Sequence, residues 1–187
     1  MYPLNRNRRL RTSETLRNLI RENTITPNDF LVPLFVIEGK NNKREIQSMP
    51  NYFKMSIDLI LKEIKILHSL GLKSVLLFAQ VEESLKDNYG TEAINNNGLM
   101  QRAIRSIKDK FPDILVMSDV ALDPYSSYGH DGVVENGLIV NDITNDILAK
   151  MSLSHVEAGA DFVAPSDMMD GRVKSIRTIL ENEGHYD

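Results

Sequence analysis

From residue 30 onward the apolar positions alternate between short continuous runs and stretches that repeat every three to four residues. That alternation predicts strands buried on both faces, each followed by a helix that covers it. The strand runs are Phe30 to Ile37, Ser74 to Val81, Ile114 to Leu122 and Asp161 to Ala164. The first helix is predicted over Ile57 to Leu70, with Ile57, Ile60, Leu61, Ile64 and Leu67 on one stripe, Ser56 placed to cap it and Gly71 to end it. The second covers Leu99 to Lys110, with Met100, Ala103, Ile104 and Ile107 inward and Pro112 just beyond its end. The third runs from Asp142 to Ala158 behind the cap candidate Asn141, with Ile147, Leu148 and Met151 inward and Gly159 as its stop. The fourth starts after Gly171, uses Val173, Ile176, Ile179 and Leu180, and meets Gly184.

Two segments depart from this rhythm. A short helix from Ser13 to Glu22, with Leu16, Leu19 and Ile20 on one side, leads through Thr26-Pro27 into the first strand. Between the third strand and its helix, Val133 to Val140 reads as two short strands around Asn136-Gly137, a strong hairpin signal and the candidate lid. Four βα units with no antiparallel core strand fit either an open doubly wound sheet or the first half of a (β/α)8 barrel, which the pattern alone does not separate. Dinucleotide and nucleotide folds lose support, because only Glu38-Gly39-Lys40 follows Ile37 and no Walker-type loop is present.

Composition narrows the chemistry. The 187 residues include no cysteine and no tryptophan, so disulfides, thiolate metal sites and cysteine nucleophiles are excluded together. A cytoplasmic location is the expectation that this permits. The longest apolar run, Leu31 to Ile37, has seven residues and contains a proline, against the ~20 that a spanning helix needs. No membrane partner is therefore expected.

Charge is unevenly placed: within residues 1 to 21 six arginines (Arg6, Arg8, Arg9, Arg11, Arg17 and Arg21) face a single acidic residue, Glu14. Such an arm can bind phosphate or nucleic acid, serve as a transit peptide, or dock on an acidic subunit. Only Tyr2 among aromatic residues precedes Phe30, so the stacking used for single-stranded nucleic acid is nearly absent and no nucleic-acid partner is expected. Residues 1–28 are read as an oligomerisation arm and 29–187 as one barrel-like unit.

The densest polar cluster follows the third strand, from Ser118-Asp119 through Asp123-Pro124-Tyr125 to Gly129-His130-Asp131-Gly132. Strand carboxyl ends and the loops after them form the site in parallel α/β folds. Asp119 falls at the end of an apolar strand, where an ionised carboxylate is costly unless paired or solvated. Asp123 and Asp131 are placed to converge with it on a hard cation or a substrate ammonium group, although turn-forming Asp, Pro, Ser and Gly residues explain the same composition. Ala164-Pro165-Ser166-Asp167-Met168-Met169-Asp170-Gly171-Arg172 is the second strand-end cluster; Ser166 or Asp167 is expected to face the site and Asp170 to sit near the next helix's positive end. His68 and His155 fall near helix carboxyl ends, which favour a cationic imidazole; His185 lies in a terminal tail, and only His130 is placed near the candidate site.

These segments, with Arg8-Arg9-Leu10-Arg11, Leu31 to Val36, Ser48-Met49-Pro50 and Gly98 to Ala103, closely resemble the porphobilinogen synthase (5-aminolevulinic acid dehydratase) family, in family order along nearly the whole chain. The resemblance implies a (β/α)8 barrel of which about the first four units are present, with an arm that wraps a neighbour in a homo-octamer. It implies condensation of two 5-aminolevulinate molecules to porphobilinogen with loss of two waters, a lyase reaction of haem and tetrapyrrole biosynthesis. Zinc-dependent members carry three cysteines where this sequence has Ala121, Asp123 and Asp131; the pattern resembles the aspartate-rich, magnesium-associated branch, and Asp123 and Asp131 are its candidate metal contacts. Asp119 and Ser166 take supporting catalytic roles. In the family the two Schiff-base lysines lie on the fifth and sixth strands, whereas Lys54, Lys86 and the other lysines here are placed on helices, in loops or near helix starts, so this polypeptide alone is expected to be inactive. A non-catalytic half-barrel partner, or another aspartate-rich lyase or aldolase, stands as the alternative.

Overall fold

The computed structural model describes residues 1 to 186. Its elements in chain order are α1 (Glu14–Leu19), β1 (Val32–Ile37), β2 (Lys43–Glu45), β3 (Phe53–Ser56), α2 (Ile57–Ser69), β4 (Ser74–Gln80), α3 (Leu99–Lys110), β5 (Leu115–Val120), β6 (Val134–Glu135), β7 (Leu138–Ile139), α4 (Asn141–Glu157), β8 (Phe162–Pro165) and α5 (Arg172–Asn182). The main sheet has six strands in the order β2-β3-β1-β4-β5-β8. All neighbours are parallel except β2 and β3. The fold is thus α/β with a mostly parallel sheet.

Strand alternation sorts the side chains onto two unequal faces. Leu34 and Val36 of β1, Val75, Leu77 and Ala79 of β4, and Val116 and Val120 of β5 are buried in one core with Ile60 and Ile64 of α2, Ile104 and Ile107 of α3, and Leu148 and Met151 of α4. The register puts Phe35 beside Phe78, Leu76 beside Met117 and Met117 beside Phe162 on the other face. There the side chains are only half-buried, and Phe162 remains 51% exposed. Helices therefore cover one face of this sheet, and among the described residues none covers the other. A doubly wound sheet carries helices on both.

Several sequence expectations need correction. The arm helix is shorter than Ser13 to Glu22: Ser13 caps it through the Leu16 amide, but Leu19 is 80% exposed, and its apolar side meets no core. Ser56 precedes α2 without capping it, because its hydroxyl donates to Asp58 Oδ1 at 2.6 Å and accepts from the Asn42 amide. Asn141 is the first residue of α4 rather than its cap; its side-chain amide is held by the backbone of Asp170. Val173 points outward at 63% exposure. The pattern missed β2 and β3 because the first is charged throughout and the second is only four residues long. Lys43 and Lys54 consequently lie on strands, not in loops, and Lys54 shares the uncovered face with Phe35.

The hairpin forms as expected, with β6 and β7 antiparallel and Asn136 and Gly137 at φ 51° and 77°, the left-handed pair that a tight two-residue turn requires.

Candidate active site

Asp119 is the last residue but one of β5, on the uncovered face, and is 6% exposed. Its neighbour in register is Ala164 of β8, so the loop leaving β8 passes beside it, guided by the Ser166 amide on the Val120 carbonyl at 3.3 Å. Ser166 Oγ then donates to Asp119 Oδ1 at 2.6 Å. Burial lifts the Asp119 pKa to about 6, the Ser166 bond opposes that rise, and the negative charges of Asp123, Asp131 and Asp167 add to it. The result is a carboxyl that exchanges its proton near neutral pH.

Asp123 and Asp131 face each other across the loop. Asp123 reaches solvent as a residue, yet partial desolvation of its carboxyl, followed by the charge of Asp131, raises its pKa, while the Lys86 ammonium counters. Lys86 is itself tied to Glu83 at 2.7 Å. Asp167 is buried, accepts from the Met169 amide at 2.7 Å, and lies 3.2 Å from Arg172 Nε; burial raises its pKa first, and the amide and Arg172 restrain it. Ser166 thus bonds Asp119 directly, and Asp123, Asp131 and Asp167 lie near enough for their charges to act on it. Asp170 sits just before Gly171, the cap of α5, and its backbone carbonyl accepts from Asn141 and Asn145.

His130 directs Nδ1 to the Gly132 amide at 3.3 Å, a local turn contact. His155 reverses the expectation of a cationic helix-end imidazole. It is fully buried, bonded through Nδ1 to Ser118 Oγ at 3.0 Å, and burial drives its pKa down to about 3. His68, in the last turn of α2, lies 2.9 Å from Asp113.

The hairpin lies beside this loop, with Asn136 and Gly137 at its exposed tip. A Cβ at Gly132 would stand 2.6 Å from Ile139 Cγ2, so a side chain there would require the hairpin to shift. Sequence reasoning missed the segment that holds the hairpin, Asp87 to Tyr89, since nothing in its polar composition marks it. It also missed Tyr125 as a buried residue, whose hydroxyl has no partner among the described protein atoms.

The model of the family described as "Delta-aminolevulinic acid dehydratase" matches residues 4–187. The chain belongs to the delta-aminolevulinic acid dehydratase family. Among family members, the Bacillus subtilis (strain 168) dehydratase is 44% identical over 180 residues, 96% of this chain and 55% of that protein. The chloroplastic enzyme of Selaginella martensii is 48% identical over 183 residues, 97% of this chain and 44% of that protein. The chain spans about half the length of these relatives. A crystal structure of the dehydratase (porphobilinogen synthase) from Toxoplasma gondii ME49, in complex with its reaction product porphobilinogen, superposes with a TM-score of 0.93 at 45% identity, over 98% of this chain and 52% of that one.

Proposed function

We propose that these residues form the aspartate-rich part of a porphobilinogen synthase site, where two molecules of 5-aminolevulinate condense to porphobilinogen with loss of two waters. The observation that carries this reading is Asp119, a carboxyl with a pKa of about 6 held by Ser166 at a parallel strand end. Its value near neutrality suits a group that takes and returns a proton at the condensing carbons and amines. Asp123 and Asp131 offer negative charge to the substrate ammonium group, and Phe35 and Phe78, stacked with ring centroids 5.1 Å apart, give an apolar floor that excludes water.

The one-sided helix cover supports reading the sheet as one wall of a (β/α)8 barrel, with the uncovered face as its interior. The electrophilic half of the chemistry would come from the Schiff-base lysines that the family resemblance implies. Lys54 shares the face with Asp119 but donates to Gln80 at 2.6 Å. It also stands three strands away, about 14 Å at ~4.8 Å per strand. A polypeptide of these 187 residues alone is therefore expected to bind substrate without turning it over. We further infer a cytoplasmic homo-octamer joined through the arm of residues 1–28, whose arginines are exposed; among the described residues no helix is long and apolar enough to cross a membrane.

Magnesium, implied by the resemblance, finds only the Asp123–Asp131 pair here. Among the described residues no three His, Asp or Glu side chains gather to hold a metal ion. These residues by themselves do not make a cation site, and the family resemblance places the regulatory magnesium on residues outside this stretch.

Titration of the 187-residue chain with 5-aminolevulinate, followed by NMR, tests the reading. Binding should weaken at least tenfold in Asp123→Asn/Asp131→Asn, and absence of binding to the unaltered chain overturns it. Porphobilinogen formation by the chain alone overturns the assignment of the lysines.

A further inference from the structure

The hairpin could be a free flap over the acidic loop. Its hydrogen bonds say otherwise. Asn88, in the connection between β4 and α3, uses its side-chain amide as a strand would use its backbone: Nδ2 donates to the Val134 carbonyl at 2.9 Å, and Oδ1 accepts from the Val134 amide at 3.0 Å. Tyr89 Oη adds a bond to Glu135 Oε1 at 3.1 Å. One residue earlier, the Asp87 backbone brackets the other end of the loop, its amide donating to the Tyr125 carbonyl at 3.2 Å and its carbonyl accepting from the Ser127 amide at 3.1 Å. The Asp87 carboxylate stiffens this short segment by accepting from the amides of Tyr89 and Thr91 at 2.8 and 3.2 Å.

Asp123 lies just before the bracketed Tyr125–Ser127 stretch, and Asp131 lies just before the clamped Val134. The two carboxylates therefore sit on opposite arms of a loop whose two roots are fastened to adjacent residues. We propose that Asn88 is a positioning residue: its amide clamps the hairpin to the β4–α3 connection and so fixes Asp131 relative to Asp123. Asn88 makes no contact with substrate in this account. The inference takes the role of the two carboxylates from the proposed function, but the clamp itself is tested without substrate.

An amide is the natural part for this task because it presents one donor and one acceptor side by side. Alanine presents neither. A protonated carboxylic acid presents both, whereas a carboxylate keeps only the acceptors and faces the Val134 carbonyl with a negative charge. Asn88→Asp is therefore a pH-operated version of the clamp, and a residue that merely fills space would not behave this way.

The experiment compares the 187-residue chain with Asn88→Ala and Asn88→Asp by backbone NMR. Protection factors at Val134, corrected for intrinsic exchange, are read beside those at Leu77 and Val116, which report on the fold. In Asn88→Ala, Val134 protection should fall at least tenfold, and the amide resonances of Asp123 and Asp131 should both shift, with Leu77 and Val116 unchanged. In Asn88→Asp, protection should approach the unaltered value near pH 3.5 and fall toward the alanine value near pH 7. An unchanged Val134, or an Asn88→Asp variant that follows Asn88→Ala at every pH, overturns the proposal. A final titration with 5-aminolevulinate separates the two readings. Failure of the unaltered chain to bind refutes the proposed function and leaves the clamp standing, whereas equal binding by the unaltered chain and a verified loosened Asn88→Ala shows that the clamp does not position the site.

Discussion

Ser118 and Asp119 are consecutive residues of β5, yet they belong to different environments. Ser118 points into the helix-covered face and meets His155; Asp119 points to the uncovered face and meets Ser166. Burial acts on both ionisable groups by disfavouring charge, so it lowers the base to about 3 and raises the acid to about 6. The comparison teaches where proton chemistry is open in this fold. The covered face holds a histidine that stays neutral across the physiological range, and the uncovered face holds a carboxyl that does not stay in one state.

The largest expected effect lies on the covered side. Between pH 6.5 and about 3 the unfolded chain binds a proton at His155 that the folded chain refuses. Stability conferred by the neutral ring is complete above the unfolded pKa of about 6.5 and declines as pH falls, by an upper bound of about 4 to 5 kcal/mol. Denaturation curves at successive pH values should show a shallower acid decline in His155→Gln. An identical slope would break the assignment of His155 as a buried neutral base.

Neighbouring leucines of β4 sharpen the contrast without titration. Leu77 is fully buried under the helices, whereas Leu76 lies half-buried on the other face. Leu77→Ala should lower stability by about 3 to 4 kcal/mol and Leu76→Ala by about 1 kcal/mol, measured by guanidinium denaturation. Equal losses would mean that both faces are packed alike.

The acid on the uncovered side has the opposite sign. Because the folded pKa of Asp119 is raised, the folded chain keeps a proton between about pH 4 and 6 that the unfolded chain has released, so stability falls as pH rises through that window. Asp119→Asn retains an acceptor for Ser166 and removes the buried charge. It should be about 2 to 3 kcal/mol more stable than the unaltered chain at pH 8, with the gap closing below pH 4. The same variant should bind 5-aminolevulinate more weakly, which is the expected conflict between stability and function at a working carboxyl.

How much of this was legible in the sequence depends on range. The long helices were readable because their stripes are local: Met100, Ala103, Ile104 and Ile107 are all buried, as the spacing requires. Asp119 was readable for the same reason, as one acid in an apolar run. The face it occupies was not, since four similar βα units fit a sheet covered on either one or both sides, and only packing decides between them. Ser56 and Asn141 were misassigned because local cap rules compete with tertiary partners, which the sequence does not display. Asn88 left no trace because its partner, Val134, is 46 residues away.

The smallest effect on stability falls where the two faces differ most. Phe162 lies on the edge strand β8, on the uncovered face, half in solvent. An aromatic residue there adds little to the fold of one chain, but it leaves apolar surface beside an unpaired strand edge, a site for contact with another molecule. Phe162→Ser should therefore change stability by less than about 1 kcal/mol, well short of the loss at Leu77, since little apolar area leaves water when the chain folds. Sedimentation should nonetheless show weaker self-association of the variant. A stability loss as large as that of Leu77→Ala would show that Phe162 is packed in solution, and the distinction between a closed face and an open one would fail at its clearest position.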